Sequence, residues 1–251
     1  MEVLAIGNSF SQDATRYLHR IARAAGDKLN VTNLYIGGCS LERHYRNMLS
    51  GERAYMLESN GEQTGFPVSL EEALYNRKWD VVTIQQVSSQ SIDPETFRPY
   101  IYTLADMIRE YAPKAKFLLH ETWFYEQGSF RLTQELGFPT EDAMLEKIHA
   151  AYAQIGSEIG VDGIIPSGTM LGALRKAGIE KLHRDTFHAS YGLARYALGL
   201  LWYHVLTGKP VAGNPFADPD EPISPEEYNI VKKCVDAFLS HKLCCVTGCS
   251  C

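Results

Sequence analysis

Short apolar runs alternate with longer segments of helical periodicity, and this alternation restricts the fold of the chain more than any other feature. The runs have the length of buried strands. Strands that alternate with helices are typical of a parallel sheet covered on both faces. The sequence therefore predicts an α/β fold with five parallel strands, at Glu2–Ile6, Val31–Ile36, Val81–Ile84, Lys116–His120 and Gly163–Ile165.

Five longer segments carry apolar residues at helical spacing. Several also begin with capping or proline signals and end at glycine or proline, as helices do. We predict helices at Gln12–Ala25, Pro94–Tyr111, Asp142–Ile159, Tyr191–Leu206 and Pro225–Leu239.

The chain has 251 residues, enough for one sizeable core, and no internal repeat or linker divides it. We predict a single domain over residues 1–240. Gly51–Pro67 is irregular and is expected to be a loop that could overhang the site, and Gly208–Pro225 an ordered surface excursion. Four of the six cysteines lie at the extreme C-terminus. They predict a redox-sensitive, Cys-rich tail over 241–251, because their spacing fits neither a disulfide framework nor a zinc site.

The composition of the chain limits the kinds of molecule that it is expected to bind. The formal net charge is -6 without long runs of one sign, which argues against a general affinity for nucleic acid or acidic membranes. No stretch approaches the ~20 apolar residues of a membrane helix. The N-terminus has no signal-peptide pattern, so we expect a cytoplasmic protein that does not associate with membranes, with an exported protein trimmed of its leader as the alternative. The oligomeric state is not predicted.

The first strand is followed by Gly7-Asn8-Ser9-Phe10-Ser11 and then by a helix. A serine in this turn lies near a helix N-terminus, where backbone N–H groups stabilise an oxyanion. Ser9 is thus a candidate nucleophile. The alternative is that Ser9 or Ser11 only caps the helix, because the GxSxG motif is absent.

A second motif, Asp185-Thr186-Phe187-His188, precedes a long apolar helix. Asp185 and His188 are three residues apart and can share one loop, where the carboxylate orients the imidazole towards a nucleophile. The alternative reading makes Asp185 an acidic helix-start residue and His188 a surface residue.

Together the two motifs resemble the SGNH, or GDSL-like, hydrolase superfamily, and an uncharacterised gut-bacterial subfamily of it. That resemblance implies a three-layer α/β/α sandwich with flavodoxin-like strand order. It also implies a Ser9–His188–Asp185 triad that needs no metal or organic cofactor. The oxyanion hole would use Ser9 and Gly38, with Gly37 as the near alternative.

The third block departs from the superfamily's usual Gly-x-Asn-Asp. Gln85-Gln86-Val87-Ser88 is more similar to the block of acetylxylan and sialate O-acetyl esterases. By that similarity Gln86 would supply the side-chain amide of the oxyanion hole, with Gln85 as the alternative.

The segment after the fourth strand, His120-Glu121-Thr122-Trp123-Phe124-Tyr125, is expected at the same sheet edge. We predict that His120, Trp123 and Tyr125 bind substrate, with the two aromatic rings as platforms for a sugar. One alternative is that the aromatic rings only pack in the core. Another is a metal site formed by His120, Asp185 and His188, to which we prefer the triad interpretation.

The sequence thus predicts a serine esterase that acts on short O-acyl esters, above all acetyl esters, of small molecules or carbohydrates. A lipid-ester hydrolase or thioesterase on the same scaffold is one alternative. A non-catalytic α/β binding module and a phosphate-binding flavodoxin-like protein are two others, although neither a P-loop nor GxGxxG is present.

Overall fold

A computed structural model describes the backbone of residues 1–247 and the side chains of residues 1–238. Within them, seven strands form one sheet in the order β4-β3-β2-β1-β5-β6-β7. The strands are β1 (Glu2–Gly7), β2 (Asn30–Tyr35), β3 (Tyr55–Ser59), β4 (Glu62–Val68), β5 (Val81–Ile84), β6 (Lys116–His120) and β7 (Gly163–Ile165).

The five predicted strands are all present, and they are parallel to one another. Their spatial order is β2-β1-β5-β6-β7, which is the flavodoxin-like order. Most of their residues are buried, above all in the central strands β1 and β5, because helices cover the sheet, and this explains why they read as apolar runs in the sequence.

The strand count was wrong, because the predicted loop Gly51–Pro67 contains a hairpin. β3 pairs antiparallel with β2, and β4 pairs antiparallel with β3 around a turn at Asn60 and Gly61, both of which have positive φ. Most β4 side chains are exposed, so the strand has no apolar pattern to reveal it. The hairpin extends the sheet at its edge.

The helices form two groups that cover the two faces of the sheet. One layer contains α1, α2, α8 and α9, and α8 packs against each of the other three. The other contains α3, α4 and α5, which pack on one another, followed by α6. The helices are α1 (Ser9–Thr15), α2 (Leu18–Ala24), α3 (Leu41–Ser50), α4 (Leu70–Tyr75), α5 (Tyr100–Tyr111), α6 (Glu141–Ile159), α7 (Ser167–Lys176), α8 (Leu193–Thr207) and α9 (Pro225–Thr247).

All five predicted helical segments contain helix, but two are interrupted. The first divides into α1 and α2 around Arg16 and Tyr17, and the second begins as a 3-10 turn, Pro94–Phe97, before α5. Helices α3, α4 and α7 were not predicted. No helix among the described residues has the length and apolar character needed to cross a membrane. The cysteine side chains of the predicted tail 241–251 lie outside the described residues.

Candidate active site

Ser9 is the first residue of α1, directly after the central strand β1. Asn8 caps this helix by accepting a hydrogen bond from the N–H of Phe10 at 3.0 Å. The turn is so tight that a Cβ at Gly7 would lie 2.6 Å from the Ser11 Oγ, so only glycine fits there. The local sequence thus holds the Ser9 hydroxyl at the carboxyl end of the strand.

The Asp185–His188 loop comes to the same edge and meets Ser9. His188 Nε2 lies 2.9 Å from the Ser9 Oγ, and His188 Nδ1 lies 2.7 Å from Asp185 Oδ2. Since the carboxylate can only accept, Nδ1 carries the proton, and Nε2 is free to accept the serine proton. The structure therefore brings the three side chains into the geometry of a serine hydrolase triad.

Asp185 is held as a carboxylate. Its partial burial raises its pKa, but N–H donors from His188 and Phe187 and the imidazole of His188 outweigh that and lower the pKa to about 2. Asp185 Oδ1 accepts both backbone donors, at 2.8 and 2.9 Å. A fixed negative charge behind His188 favours the imidazolium that forms when the serine loses its proton.

The buried carboxylate of Asp13 joins the helix that carries Ser9 to the loop that carries His188. Asp13 is on α1 and has no solvent exposure. It accepts from Arg184 at 2.9 Å, from the Ala189 N–H at 3.2 Å and from Arg195 at 2.8 Å. Because Arg184 and Ala189 flank the Asp185–His188 segment, Asp13 fixes the position of His188 relative to Ser9.

A chain of buried hydrogen bonds runs beneath the site across the ends of all five parallel strands. We call it the strand-end chain: Ser167 to His120, His120 to Gln85, Gln85 to Asn8, and Asn8 to the Cys39 carbonyl, at distances of 2.6–3.0 Å. Burial lowers the pKa of His120 to about 3, so the ring is neutral and has one donor and one acceptor.

The directions of these bonds follow from the chemistry of the groups. The Cys39 carbonyl only accepts, so Asn8 must donate its amide N–H to it and accept from Gln85 with its oxygen. The Gln85 oxygen then accepts from His120 Nδ1, and His120 Nε2 accepts from the Ser167 hydroxyl. Each side chain of the chain thus both donates and accepts or has its hydroxyl donor paired, and the turn before Ser9 is fixed from below.

The predicted role of Gln86 in the oxyanion hole is wrong. Its Nε2 donates to the Thr96 carbonyl at 2.8 Å, and its Oε1 accepts from the N–H groups of Leu41 and Val87 at 2.9 and 2.8 Å. Gln86 is fully buried and does not line the cavity at Ser9. Gln85, the predicted alternative, is not available for the oxyanion hole either, because its side chain forms the hydrogen bonds of the strand-end chain.

We expect Gln86→Ala to lower stability and leave turnover within about tenfold of wild type. The change leaves buried partners without hydrogen bonds, at a cost of about 1–3 kcal/mol. Thermal unfolding and kcat measure the two effects, with Gln90→Ala at an exposed position as the control. A hundredfold loss of kcat at an unchanged melting temperature would restore the oxyanion role.

Two of the three predicted substrate-binding residues lie beneath the site and have no solvent exposure. His120 belongs to the strand-end chain. Trp123 stacks on Phe10 with ring centroids 3.8 Å apart and donates to the Phe187 carbonyl at 2.8 Å. Both predictions were wrong, because these residues end a buried strand and support the site from the core. Tyr125 does reach the cavity, with its hydroxyl 2.9 Å from the Ser88 Oγ.

The cavity at Ser9 has a volume of about 310 Å³. Its lining combines hydroxyl, aromatic and glycine surfaces with one cation, and it comprises Asn8, Ser9, Phe10, Tyr35, Gly37, Gly38, Val87, Ser88, Ser89, Tyr125, Arg131, Phe187 and His188. Sequence reasoning missed Tyr35, Arg131 and Phe187 as site residues. Tyr35 lies within a predicted strand and Phe187 within the Asp185–His188 motif, whereas Arg131 had no local signal.

Two backbone donors are available for an oxyanion. Among the described residues, the N–H groups of Ser9 and Gly38 donate to no protein acceptor. Gly38 has a φ of 60°, which glycine adopts without strain, and a Cβ there would contact nothing within 4 Å. Gly37 lines the same cavity, so both glycines predicted for this role are at the site.

No group of three His, Cys, Asp or Glu side chains is arranged to hold a metal ion in the part of the chain that the structure describes. The alternative set of His120, Asp185 and His188 is not assembled, because His120 is committed to Gln85 and Ser167. His188 instead bridges Asp185 and Ser9.

Comparison with known proteins shows that the chain is similar to one protein family and to several solved structures. Residues 2–237 match DUF4886, a domain of unknown function. A DUF4886 family protein from Bacteroides uniformis is 30% identical, with 96% of this chain and 95% of that protein covered and a TM-score of 0.88. None of the curated proteins matches.

Two further structures are more distant. A candidate SGNH hydrolase from Slackia heliotrinireducens is 21% identical, with 82% of this chain and 98% of that one covered and a TM-score of 0.59. A candidate GDSL-like lipase from Parabacteroides merdae is 14% identical, with 82% and 95% covered and a TM-score of 0.53. The predicted resemblance to SGNH or GDSL-like hydrolases is confirmed at the level of the fold.

Proposed function

The chain belongs to the DUF4886 family, and from the geometry of Ser9, His188 and Asp185 we propose that it is a serine esterase that hydrolyses short O-acyl esters. The single observation that carries the proposal is the continuous hydrogen bonding from Ser9 through His188 to Asp185 at the mouth of a cavity. A helix cap would not require an imidazole and a carboxylate in line with the serine hydroxyl.

Acylation begins when the Ser9 Oγ attacks the carbonyl carbon of the ester and its proton passes to His188 Nε2. Negative charge then develops on the carbonyl oxygen, where the N–H groups of Ser9 and Gly38 stabilise it. Collapse of the tetrahedral intermediate breaks the bond to the alcohol oxygen. The leaving alcohol takes the proton from His188, and the acyl group remains on Ser9.

Deacylation repeats these steps with water. His188 removes a proton from a water molecule, which attacks the acyl carbon, and the same donors hold the second oxyanion. The intermediate releases the carboxylic acid and returns the proton to Ser9. Asp185 remains ionised throughout, consistent with its low pKa.

The cavity favours a small polar substrate. Its volume of about 310 Å³ is near the lower end of the ~300–1,000 Å³ typical of ligand sites. Hydroxyl groups from Tyr35, Ser88, Ser89 and Tyr125 line it, and these suit an alcohol that bears hydroxyl groups. A long acyl chain would need a longer apolar surface, since each buried CH₂ contributes ~0.8 kcal/mol. We therefore propose acetyl esters, with carbohydrates as the alcohol.

We expect kcat/KM to fall from acetyl through butyryl to octanoyl and palmitoyl esters of one chromophore. A cavity of about 310 Å³ that also holds the alcohol leaves little room for the longer chains, so most of their extra methylene groups stay in water and contribute little binding energy. Release of acetate from acetylated sugars then tests the alcohol. A rise from acetyl to octanoyl would contradict the acetyl preference and favour the lipid-ester alternative.

A further inference from the structure

We propose that the cavity at Ser9 binds an ester whose alcohol part carries a negative charge, with the Arg131 guanidinium as the group that binds this charge. This inference rests on the proposed esterase function and narrows its substrate class to acidic alcohols, with a carboxylate as the anion. It arises from the one cation in the cavity lining.

Arg131 is held at the site by the aromatic ring of Phe187. Phe187 belongs to the segment Asp185–His188, which we call the base loop because it carries the proposed general base. Its guanidinium carbon lies 4.2 Å from the centroid of the Phe187 ring, within the range of a cation–π contact. The Phe187 ring is 3.9 Å from that of His188, measured between centroids. Arg131 is therefore positioned through a residue that touches the proposed general base.

The backbone also restricts Arg131. It begins a single π-helical turn, Arg131–Glu135, in which the next residue, Leu132, is fully buried. Such turns are rare in proteins, and many of those that occur lie at functional sites. The buried Leu132 anchors the turn in the core, while Arg131 remains exposed at the cavity.

Arg131 forms no ion pair with an Asp or Glu among the side chains that the structure describes, and its polar neighbour at the cavity is the neutral hydroxyl of Tyr125. The other arginines near the triad differ: Arg184 and Arg195 share the Asp13 carboxylate, and Arg195 and Arg16 also contact Asp220. No Asp or Glu lines the cavity itself. An anionic group in the cavity thus meets a guanidinium that is free to form a charge-assisted, bidentate contact.

The test compares two acetyl esters of the same size, 4-acetoxybenzoate and its neutral amide, 4-acetoxybenzamide. We expect wild type to prefer the anion by about 2- to 5-fold in kcat/KM, the range for an ion pair with an exposed arginine. Arg131→Met, which keeps the aliphatic stem, should remove the preference, so that the ratio of the two kcat/KM values falls to about one. Arg131→Lys should restore part of it, and Arg131→Glu should reverse it.

Arg46→Gln is the matched control, because Arg46 is an exposed α3 arginine whose ion pair is with Glu42. It should leave the preference unchanged, whereas added salt should weaken the wild-type preference. Equal turnover of both esters by wild type and by Arg131→Glu would overturn the anion site and leave the esterase function standing.

A binding measurement keeps the inference testable if neither ester is hydrolysed. Calorimetry would compare 4-hydroxybenzoate and 4-hydroxybenzamide on Ser9→Ala and on Ser9→Ala/Arg131→Met. Tighter binding of the carboxylate that disappears in the double variant supports the anion site even if the esterase proposal fails. Equal affinities for the two compounds would overturn it.

Discussion

Replacement of Ser9 with alanine is expected to lower ester hydrolysis by roughly four to six orders of magnitude while the protein stays folded. The change removes the Oγ that lies 2.9 Å from His188 Nε2, and with it the atom that forms the acyl-enzyme. His188→Ala should have a comparable effect, because no other described side chain contacts the Ser9 hydroxyl. Steady-state kinetics on an acetyl ester and circular dichroism measure activity and folding.

Chemical labelling gives a second measurement. A fluorophosphonate should modify wild type at Ser9, as seen by peptide mass spectrometry, and should leave Ser9→Ala unmodified. Ser59→Ala, at an exposed serine on β3, is the control and should keep both activity and labelling. Turnover by Ser9→Ala at the wild-type rate would end the esterase proposal and return Ser9 to the role of a helix-end residue.

Asp13→Ala is expected to destabilise the protein by about 3–5 kcal/mol, the range for removal of one partner from a buried ion pair. Asp13 has no exposure and binds two arginines. Its loss leaves Arg184 largely buried without a counter-charge, although Arg195 still reaches Asp220 at 3.2 Å. In a chain of this size the change corresponds to a fall in melting temperature of roughly 10 °C.

The matched control is Asp218→Ala. Asp218 also pairs with an arginine, Arg20, but its side chain is 91% exposed, so its loss should cost less than about 1 kcal/mol. Differential scanning calorimetry of both variants gives the loss of stability on removal of a buried ion pair and of an exposed one, and the difference is the effect of burial. If Asp13→Ala melted within a degree of wild type, Asp13 would not hold the base loop to α1.

The parallel strands could be predicted because burial on both faces makes each one a continuous apolar run. The hairpin could not, since the β4 side chains face solvent and β3 and β4 form the edge of the sheet. Such strands are recognised only by their hydrogen-bonded pairing with neighbouring strands, and a single sequence does not show that pairing. Helix α4 was missed for a different reason: it has only six residues, too few to show a helical apolar period, although the capping box between Ser69 and Glu72 is a signal in the sequence.

The proposed triad was accessible from sequence because its members occur in two short motifs. The rest of the site depends on which way neighbouring residues face. Gln85 and Gln86 are adjacent, yet one joins the strand-end chain and the other binds Thr96 and the start of α3. Arg131 is placed by Phe187, a contact between distant parts of the chain that no local pattern reveals.

The strand-end chain has a consequence for how relatives of this protein can vary. Since each member donates in one direction, an aspartate in place of Asn8 could not donate to the Cys39 carbonyl. It would also bring a charge next to Gln85 in a buried layer. We therefore expect a change at Asn8, Gln85 or His120 to be tolerated only together with compensating changes at the other two positions. Comparison of relatives that carry Asp at this position should show the coupled replacements.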